Sequence, residues 1–384
     1  MRILHCCLAQ FYIDNYSYQE NILPRMHQLQ GHDVAILAST ETYIGTELGY
    51  LEPSSYKTKD GIPVTRIPYV TWLPHFLAKK LRIYNRVGKV VKSFTPDIIF
   101  IHDCQFISIK EIAGYARKHP NIRIYVDGHT DFINSGKNWL SKNILHKLVY
   151  KWCAKKIEPY TRKFYGVLPV RVDFYKDVYG IADEKIELLP LGADLTAVDL
   201  SKRGEIRNAI RNELNIEYTD FVIVTGGKID RRKNIHLLMK AVNDLHLNDM
   251  KLIVFGTATK DMKDEIEELI SSPYIKYIGW IESQKTYDYL LAADVAIFPG
   301  THSVLWEQAV GVGLPCVFKR WEGIQHVDLD GNCLFIDDGL SELKEKIMLL
   351  YENTDLMSNM KKISLDRGVK DFSYFEIAKK AIES

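Results

Sequence analysis

The chain has 384 residues, of which 46% are hydrophobic and 26% charged. That length suggests two domains and that composition is globular, so disordered and fibrous classes are excluded. Fifty Lys+Arg against 49 Asp+Glu leave a formal charge of +1, which excludes a general basic coat for nucleic acid. The mean conceals an asymmetry: residues 1–196 hold 26 basic and 19 acidic groups (+7), and residues 197–384 hold 24 and 30 (−6).

No run approaches the roughly 20 apolar residues that span a bilayer. The opening MRILHCCLAQF has one Arg, an apolar run broken by His5 and no small-residue cleavage site, so it does not read as a secretory signal. Six cysteines (Cys6, Cys7, Cys104, Cys153, Cys316, Cys333) include no C-x-x-C pair and lie mostly in apolar runs. They are expected to be buried, reduced thiols of a cytoplasmic protein, without disulfide or zinc.

Short continuous apolar runs alternate with segments of helical period along the whole chain. Ile3–Leu8 predicts a strand and Gln19–Gln30 a helix; strands follow at Val34–Leu37, Ile98–Ile101 and Ile122–Val126. In the second half, strands are predicted at Phe221–Val224, Leu252–Phe255, Ile275–Ile278, Val295–Phe298 and Cys316–Phe318. Helices are predicted there at Leu237–Leu245, Lys263–Ile270, Thr286–Ala293 and Leu340–Tyr351. Runs that are apolar rather than alternating belong to strands buried on both faces, hence to parallel sheets covered by helices. The expected class is α/β, with two Rossmann-like, doubly wound domains facing across a cleft.

A boundary is expected near LLPLGADL, residues 188–195, followed by the charged, loop-like SKRGEIRNAIRNEL. The expected domains are 1–192 and 193–370. The remaining segment, 371–384, reads as an amphipathic helix that packs back on the first domain, with Phe372, Phe375, Ile377, Ala378 and Ile382 available.

Several stretches carry chemistry. After the predicted strand ending near Thr225, Gly226-Gly227 leads to Lys228, with Lys233 at the start of a helix. Glycines let backbone N–H groups approach a phosphate, and two ammonium groups can neutralise a leaving diphosphate without metal. The plain alternative is an ordinary turn with a solvated basic cluster. Glu307 opens the helix EQAVGVG, where a carboxylate can accept vicinal hydroxyls or merely favour the helix N-terminus. In IRIYVDGHTDF, His129 stands just past a buried strand, at the ligand-bearing edge of a doubly wound sheet.

These pieces, with QGHDVAIL, KIELLPLGAD, IKYIGWIESQKTYDYLLAADVAIFPG and WEQAVGVGLPCV, occur in the order and spacing of a known family. The chain resembles the retaining glycosyltransferases of GT-B fold, family 4 (glycosyl transferases group 1). The resemblance implies transfer of a sugar from a nucleoside-diphosphate sugar to a hydroxyl, without metal or other cofactor. It pairs Lys228 and Lys233 on the diphosphate, with Lys228 where Arg is commoner, and sets Glu307 on the ribose. Gly227, Trp280, Ile281, Thr301, His302, Ser303, Val304 and Leu305 are the further expected donor contacts. His129 is expected near the transferred sugar.

Two departures stand out. The family's E-x7-E pattern puts a Glu eight positions before Glu307, where this chain has Pro299; the loop PGTHS looks shortened, and Thr301 and His302 are the available replacements. The Gly-Gly pair often found after strand one is also missing. Tyr12, Asn15 and Tyr16 fill that space and, with Asp131, are the expected acceptor contacts.

No acid occurs between Asp60 and Asp97, while Arg66, Lys79, Lys80, Arg82, Arg86, Lys89 and Lys92 accumulate beside Trp72, Leu73, Phe76 and Leu77. A second acid-free stretch, 132–157, carries six lysines with Trp139 and Trp152. Such helices suit an anionic membrane face, so peripheral contact at the inner face of the plasma membrane is expected. The acceptor is expected to be a glycan or lipid-linked glycan of surface polysaccharide biosynthesis. The rivals are a non-catalytic glycosyltransferase-like subunit, which would exploit Pro299 and the missing glycines, and a sugar-nucleotide epimerase of the same fold.

Overall fold

The computed structural model describes residues 1–44, 47–130 and 141–383, with the side chains of 141–144 left aside. The chain forms two compact units. The first comprises Met1–Pro190 together with the residues from Ile377 onward, and the second comprises Leu191–Glu376.

The first unit is built from β1 (Arg2–Cys7), β2 (Asp33–Ser39), a hairpin of β3 (Glu41–Ile44) and β4 (Glu47–Tyr50), β5 (Ser55–Lys57), β6 (Pro63–Ile67), β7 (Ile98–His102), β8 (Arg123–Gly128), β9 (Thr161–Gly166) and β10 (Ile186–Leu188). Eight of these form one sheet in the order β10-β9-β8-β7-β1-β2-β6-β5, parallel except for the β5–β6 edge pair. The second unit has β11 (Phe221–Gly226), β12 (Met250–Phe255), β13 (Ile275–Gly279), β14 (Val295–Phe298), β15 (Cys316–Lys319) and β16 (Cys333–Ile336). They form a parallel sheet in the order β13-β12-β11-β14-β15-β16. Each unit is doubly wound, so each sheet has one place where the strand order reverses: between β1 and β7, and between β11 and β14. Crevices for ligands form there, outside the carboxyl ends of the strands.

The continuous apolar runs are strands buried on both faces. Ile98, Ile99, Phe100 and Ile101 are wholly buried, as are Val222, Ile223 and Val224. Strands that carry polar residues gave weaker signals. In β6 the sequence PVTRI contains Arg66, which is buried because its guanidinium bonds Asp14 Oδ2 at 2.9 Å, the Ser39 carbonyl and the Tyr56 hydroxyl.

One expectation is overturned. The charged segment SKRGEIRNAIRNEL is not a loop but contains a helix, Arg203–Glu213. Its arginines are interior anchors. Arg211 and Arg207 both pair with Asp294, at 2.9 and 2.6 Å, and donate to the carbonyls of Ala292 and Ala293. Tertiary partners, not apolar periodicity, stabilise that helix. The terminal segment forms a helix over Tyr374–Glu383, with Phe372, Ile377, Ala378 and Ile382 buried and Phe375 39% exposed. All six cysteines are buried and free.

Candidate functional site

At the switch point of the second unit, the loops leaving β11 and β14 are stitched together. The first runs Gly226-Gly227-Lys228 into a short turn, Arg231–Lys233, capped by the Asp230 carboxylate on the N–H groups of Arg232 and Lys233. The second is Pro299–Ser303. Thr301 N donates to the Arg232 carbonyl at 3.0 Å, and Asn234 Nδ2 to the Pro299 carbonyl at 3.1 Å. Lys233 Nζ donates to the carbonyls of Thr301 and His302 at 2.7 and 2.9 Å. Backbone approach is so close that a Cβ on Gly300 would overlap the Arg232 carbonyl and the Lys233 backbone. The five-residue loop is therefore short because it is laid directly on the lysine turn.

The two lysines differ. Lys228 is exposed at the loop tip. Lys233 is half-buried, and burial lowers its ammonium to about 8. Of its three N–H donors, two are used on loop carbonyls and one is left for an anion.

Glu307 lies in the helix Leu305–Gly311 and is wholly buried. His302 Nε2 and His326 Nε2 both contact its Oε1 at 2.8 Å, while Oε2 has no hydrogen-bond partner among the described residues. Burial would raise this carboxyl, but the two histidines outweigh it and hold the group well below the ordinary carboxylate range. The expected direct contact with two vicinal ribose hydroxyls does not fit this arrangement, because both oxygens are out of reach of solvent. The member of the cluster that reaches the surface is His302, with a side chain 12% exposed, edge-on to Trp306 at 5.2 Å. The same two imidazoles and carboxylate could hold a cation in principle, since their ligating atoms lie within 4.8 Å of one another. Ser303 and Val304 lead into the helix, and Leu305 is its first residue, two positions before the expected opening at Glu307. Trp280 is 73% exposed and Ile281 half-buried, just past β13, the edge strand on the far side of β12 from β11.

In the first unit, β8 ends at Asp127-Gly128 and His129 follows. The His129 side chain is 18% exposed, with Nε2 3.7 Å from Asp127 Oδ2 and 3.9 Å from Glu20 Oε1. Burial would lower this imidazole, but Asp127 and Glu20 raise it above its ordinary value. Asp127 itself is wholly buried and accepts from His102 Nδ1 at 2.8 Å, Gln19 Nε2 at 3.2 Å and the Asp103 N–H at 3.2 Å. Of the expected acceptor contacts, Asn15 and Tyr16 are exposed. Tyr12 is corrected: it is 3% exposed, with its ring under the Arg66 guanidinium and its carbonyl accepting from it. Asp131 lies outside the described residues.

Sequence reasoning missed His326, which lies in the turn-rich loop between β15 and β16 and has no motif around it. It also missed His5, His27 and His102. A signal existed for two of these: His5 interrupts and His102 ends an apolar strand run, and a polar group in such a run must be partnered.

The basic stretch divides. Lys79 is 3.5 Å from Glu41 and packs on Tyr50, and Arg82 donates to the Gln105 carbonyl, so both have local structural roles. Lys80, Arg86, Lys89 and Lys92 are exposed, as are Trp72 (72%) and Phe76 (68%). Among the described residues no helix is long and apolar enough to cross a membrane.

Comparison with known proteins places this geometry. No curated protein sequence matches the chain. Solved structures that match over nearly its whole length include HepE of Anabaena in complex with UDP (14% identity, 99% of this chain and 98% of that one, TM-score 0.68). A glycosyltransferase of Rickettsia africae matches at 14% identity over 100% and 97%, with TM-score 0.69. Sucrose-phosphate synthase of Thermosynechococcus elongatus matches at 15% identity over 99% and 96%, with TM-score 0.65. The fold is GT-B. Residues 206–366, most of the second unit with both stitched loops and Glu307, match the family model described as glycosyl transferases group 1.

Proposed function

We propose that the protein transfers a glycosyl group from a nucleoside-diphosphate sugar to a hydroxyl of a glycan or lipid-linked acceptor, with retention and without a metal ion. The observation that carries the reading is the stitched pair of loops at the β11/β14 switch point, inside the segment that matches glycosyl transferases group 1. There Lys228 and the remaining N–H of Lys233 would stabilise a departing diphosphate. Because loop carbonyls aim the Lys233 ammonium, its charge is preorganised rather than mobile.

In the second unit a sugar hydroxyl would be met by His302, oriented by Glu307 behind it; in the first unit His129, oriented by Asp127, would offer an imidazole to a hydroxyl. This assigns to His302 the work expected of the absent Glu at position 299. Peripheral contact with an anionic membrane through Trp72, Phe76 and the exposed lysines would bring a lipid-linked acceptor within reach. A place in surface-glycan synthesis follows from that acceptor class.

The test is a thermal-shift panel of UDP, GDP, ADP, CMP and dTDP with their sugars, UDP first because HepE was crystallised with it. A true ligand at about 100 times its dissociation constant stabilises by roughly 2.7 kcal/mol. Lys228→Ala and Lys233→Ala should each lose that shift and about 2 to 4 kcal/mol of transition-state stabilisation. Binding should also weaken above about pH 8, as Lys233 gives up its proton. Turnover should survive excess chelator; loss on chelation with rescue by a divalent ion would refute the metal-free mechanism.

A further inference from the structure

Beneath His129, a file of buried imidazoles crosses the first unit. Asp127 Oδ2 is 2.8 Å from His102 Nδ1, His102 Nε2 is 3.0 Å from His5 Nδ1, and His5 Nε2 is 2.9 Å from His27 Nδ1. The file ends where His27 Nε2 lies 2.8 Å from the carbonyl of Ala378 in the terminal helix. All three rings are wholly buried, so no water competes for these contacts.

Counting protons fixes the state of this file. A backbone carbonyl only accepts, so His27 Nε2 carries a proton and its Nδ1, in the neutral ring, accepts from His5 Nε2. His5 Nδ1 then accepts from His102 Nε2. Each link consumes the single N–H of one neutral imidazole. The fourth link, between His102 Nδ1 and Asp127, is left with two acceptors. Four hydrogen bonds need four protons and three neutral rings supply three.

We infer that His102 carries the fourth proton, as an imidazolium bonded to an ionised Asp127, and that this buried charge pair is a positioning device for His129. Asp127 is the anion of the pair because Gln19 Nε2 and the Asp103 N–H also donate to it. Donors at both of its oxygens stabilise the ionised carboxylate over the protonated one. His5 is driven well below the ordinary histidine value, by burial first and by His27 and His102 next. His27 is lowered to about 4 by burial, so neither ring takes the charge. The anion held in this way is the one that faces His129 Nε2. That last step rests on the proposed function; the proton count does not.

Other charged and titratable groups face the pair or His129 in front of it. Cys7 from β1, Asp103 after β7 with Arg82 beyond it, His129 after β8 and Tyr175, whose hydroxyl donates to the Asp127 carbonyl at 2.8 Å, face the pair. Glu20 from the helix Gln19–Leu29 and Arg171 from the helix Pro169–Phe174 face His129. The terminal helix contributes only the Ala378 carbonyl to the file.

The experiment reads ring protons directly, by ¹⁵N NMR of the full chain labelled at histidine, at about pH 8, well above the ordinary histidine value of roughly 6.5. His102 should show both ring nitrogens protonated, and His5 and His27 one each, on Nε2. His27→Gln keeps the polarity of the file, since its amide donates to Ala378 and its carbonyl accepts from His5, so His102 should stay doubly protonated. His27→Phe removes the polarity. His5 can then donate from Nδ1 to His102 Nε2, and one proton should leave the file, with His102 neutral and protonated on Nδ1. Three singly protonated rings in the parent, or an unchanged imidazolium in His27→Phe, would overturn the inference. Should His27→Phe not fold, the parent and His27→Gln decide it alone. Where transfer is established, His27→Phe should shift the pH profile of kcat and His27→Gln should restore it. No sugar donor enters the ring-proton measurement, so its failure is distinct from failure of the transferase reading.

Discussion

Replacing Glu307 by Gln tests the cluster behind the Pro299–Ser303 loop. The carboxylate accepts two imidazole contacts at 2.8 Å on one oxygen, with no exposure to water. Hydrogen bonds to a charged group contribute about 1.5 to 3 kcal/mol each and neutral ones about 0.5 to 1.5, so the substitution forfeits roughly 1 kcal/mol per contact. The new NH₂ takes the place of Oε2, which has no partner, and a buried donor without an acceptor costs about 1 to 3 kcal/mol more. The expected destabilisation of the second unit is about 3 to 5 kcal/mol near pH 7. Its pH dependence has a definite sign. Because the folded carboxyl is held below its ordinary value, its contribution is complete above roughly pH 4.3 and drains as pH falls below that. The gap between parent and variant should therefore narrow in acid. Urea unfolding followed by tryptophan fluorescence reads this locally, since Trp306 is buried against Phe318 and beside His302. Equal stability at pH 7, or a gap that widens on acidification, would refute the reasoning.

Two further perturbations separate packing from surface charge. Gly300→Ala should cost about 1 to 3 kcal/mol by overpacking and should abolish nucleotide binding, because its Cβ meets the backbone of the lysine turn. Gly204→Ala, with open space around it in a helix, should be neutral or stabilising by up to about 1 kcal/mol; equal denaturant midpoints for the two variants would contradict the close approach. Reversing charge at Lys80, Arg86, Lys89 and Lys92 should release the protein from anionic vesicles at low salt, at about 1 kcal/mol per charge, without altering nucleotide affinity. Vesicle binding equal to the parent's would leave these residues as a solvated helix face.

Much of the α/β layout was legible because burial on both faces leaves little room for polar residues: each of the nine apolar runs is a strand. What escaped was whatever polar residues stabilise from within. The helix Arg203–Glu213 reads as a charged loop because its inward side chains are Arg207 and Arg211, and only the fold reveals Asp294 as their partner. The site was legible where chemistry is local in sequence, as in Gly226–Lys233 and Pro299–Glu307. It was illegible where partners are distant. His326 meets Glu307 from 19 residues away, and His27 meets Ala378 from 351 away.

The two units use one device with different proton counts. Each places a partly exposed histidine in front, a wholly buried carboxylate behind it and a second, buried histidine at the back: His129, Asp127 and His102 in the first unit, and His302, Glu307 and His326 in the second. At Glu307 each imidazole needs one N–H to reach the shared oxygen, and two neutral rings supply both, so no extra proton is forced and the cluster keeps its negative charge. At Asp127 the file anchored on the Ala378 carbonyl forces a proton onto the back histidine, and the pair is neutral overall. The two front histidines therefore differ in environment: His302 meets one carboxylate that it shares with His326, and His129 meets Asp127, whose charge is shared with His102, together with Glu20 at 3.9 Å. A histidine of the first kind is the better partner for a sugar hydroxyl that must be gripped, because the carboxylate behind it strengthens its donation.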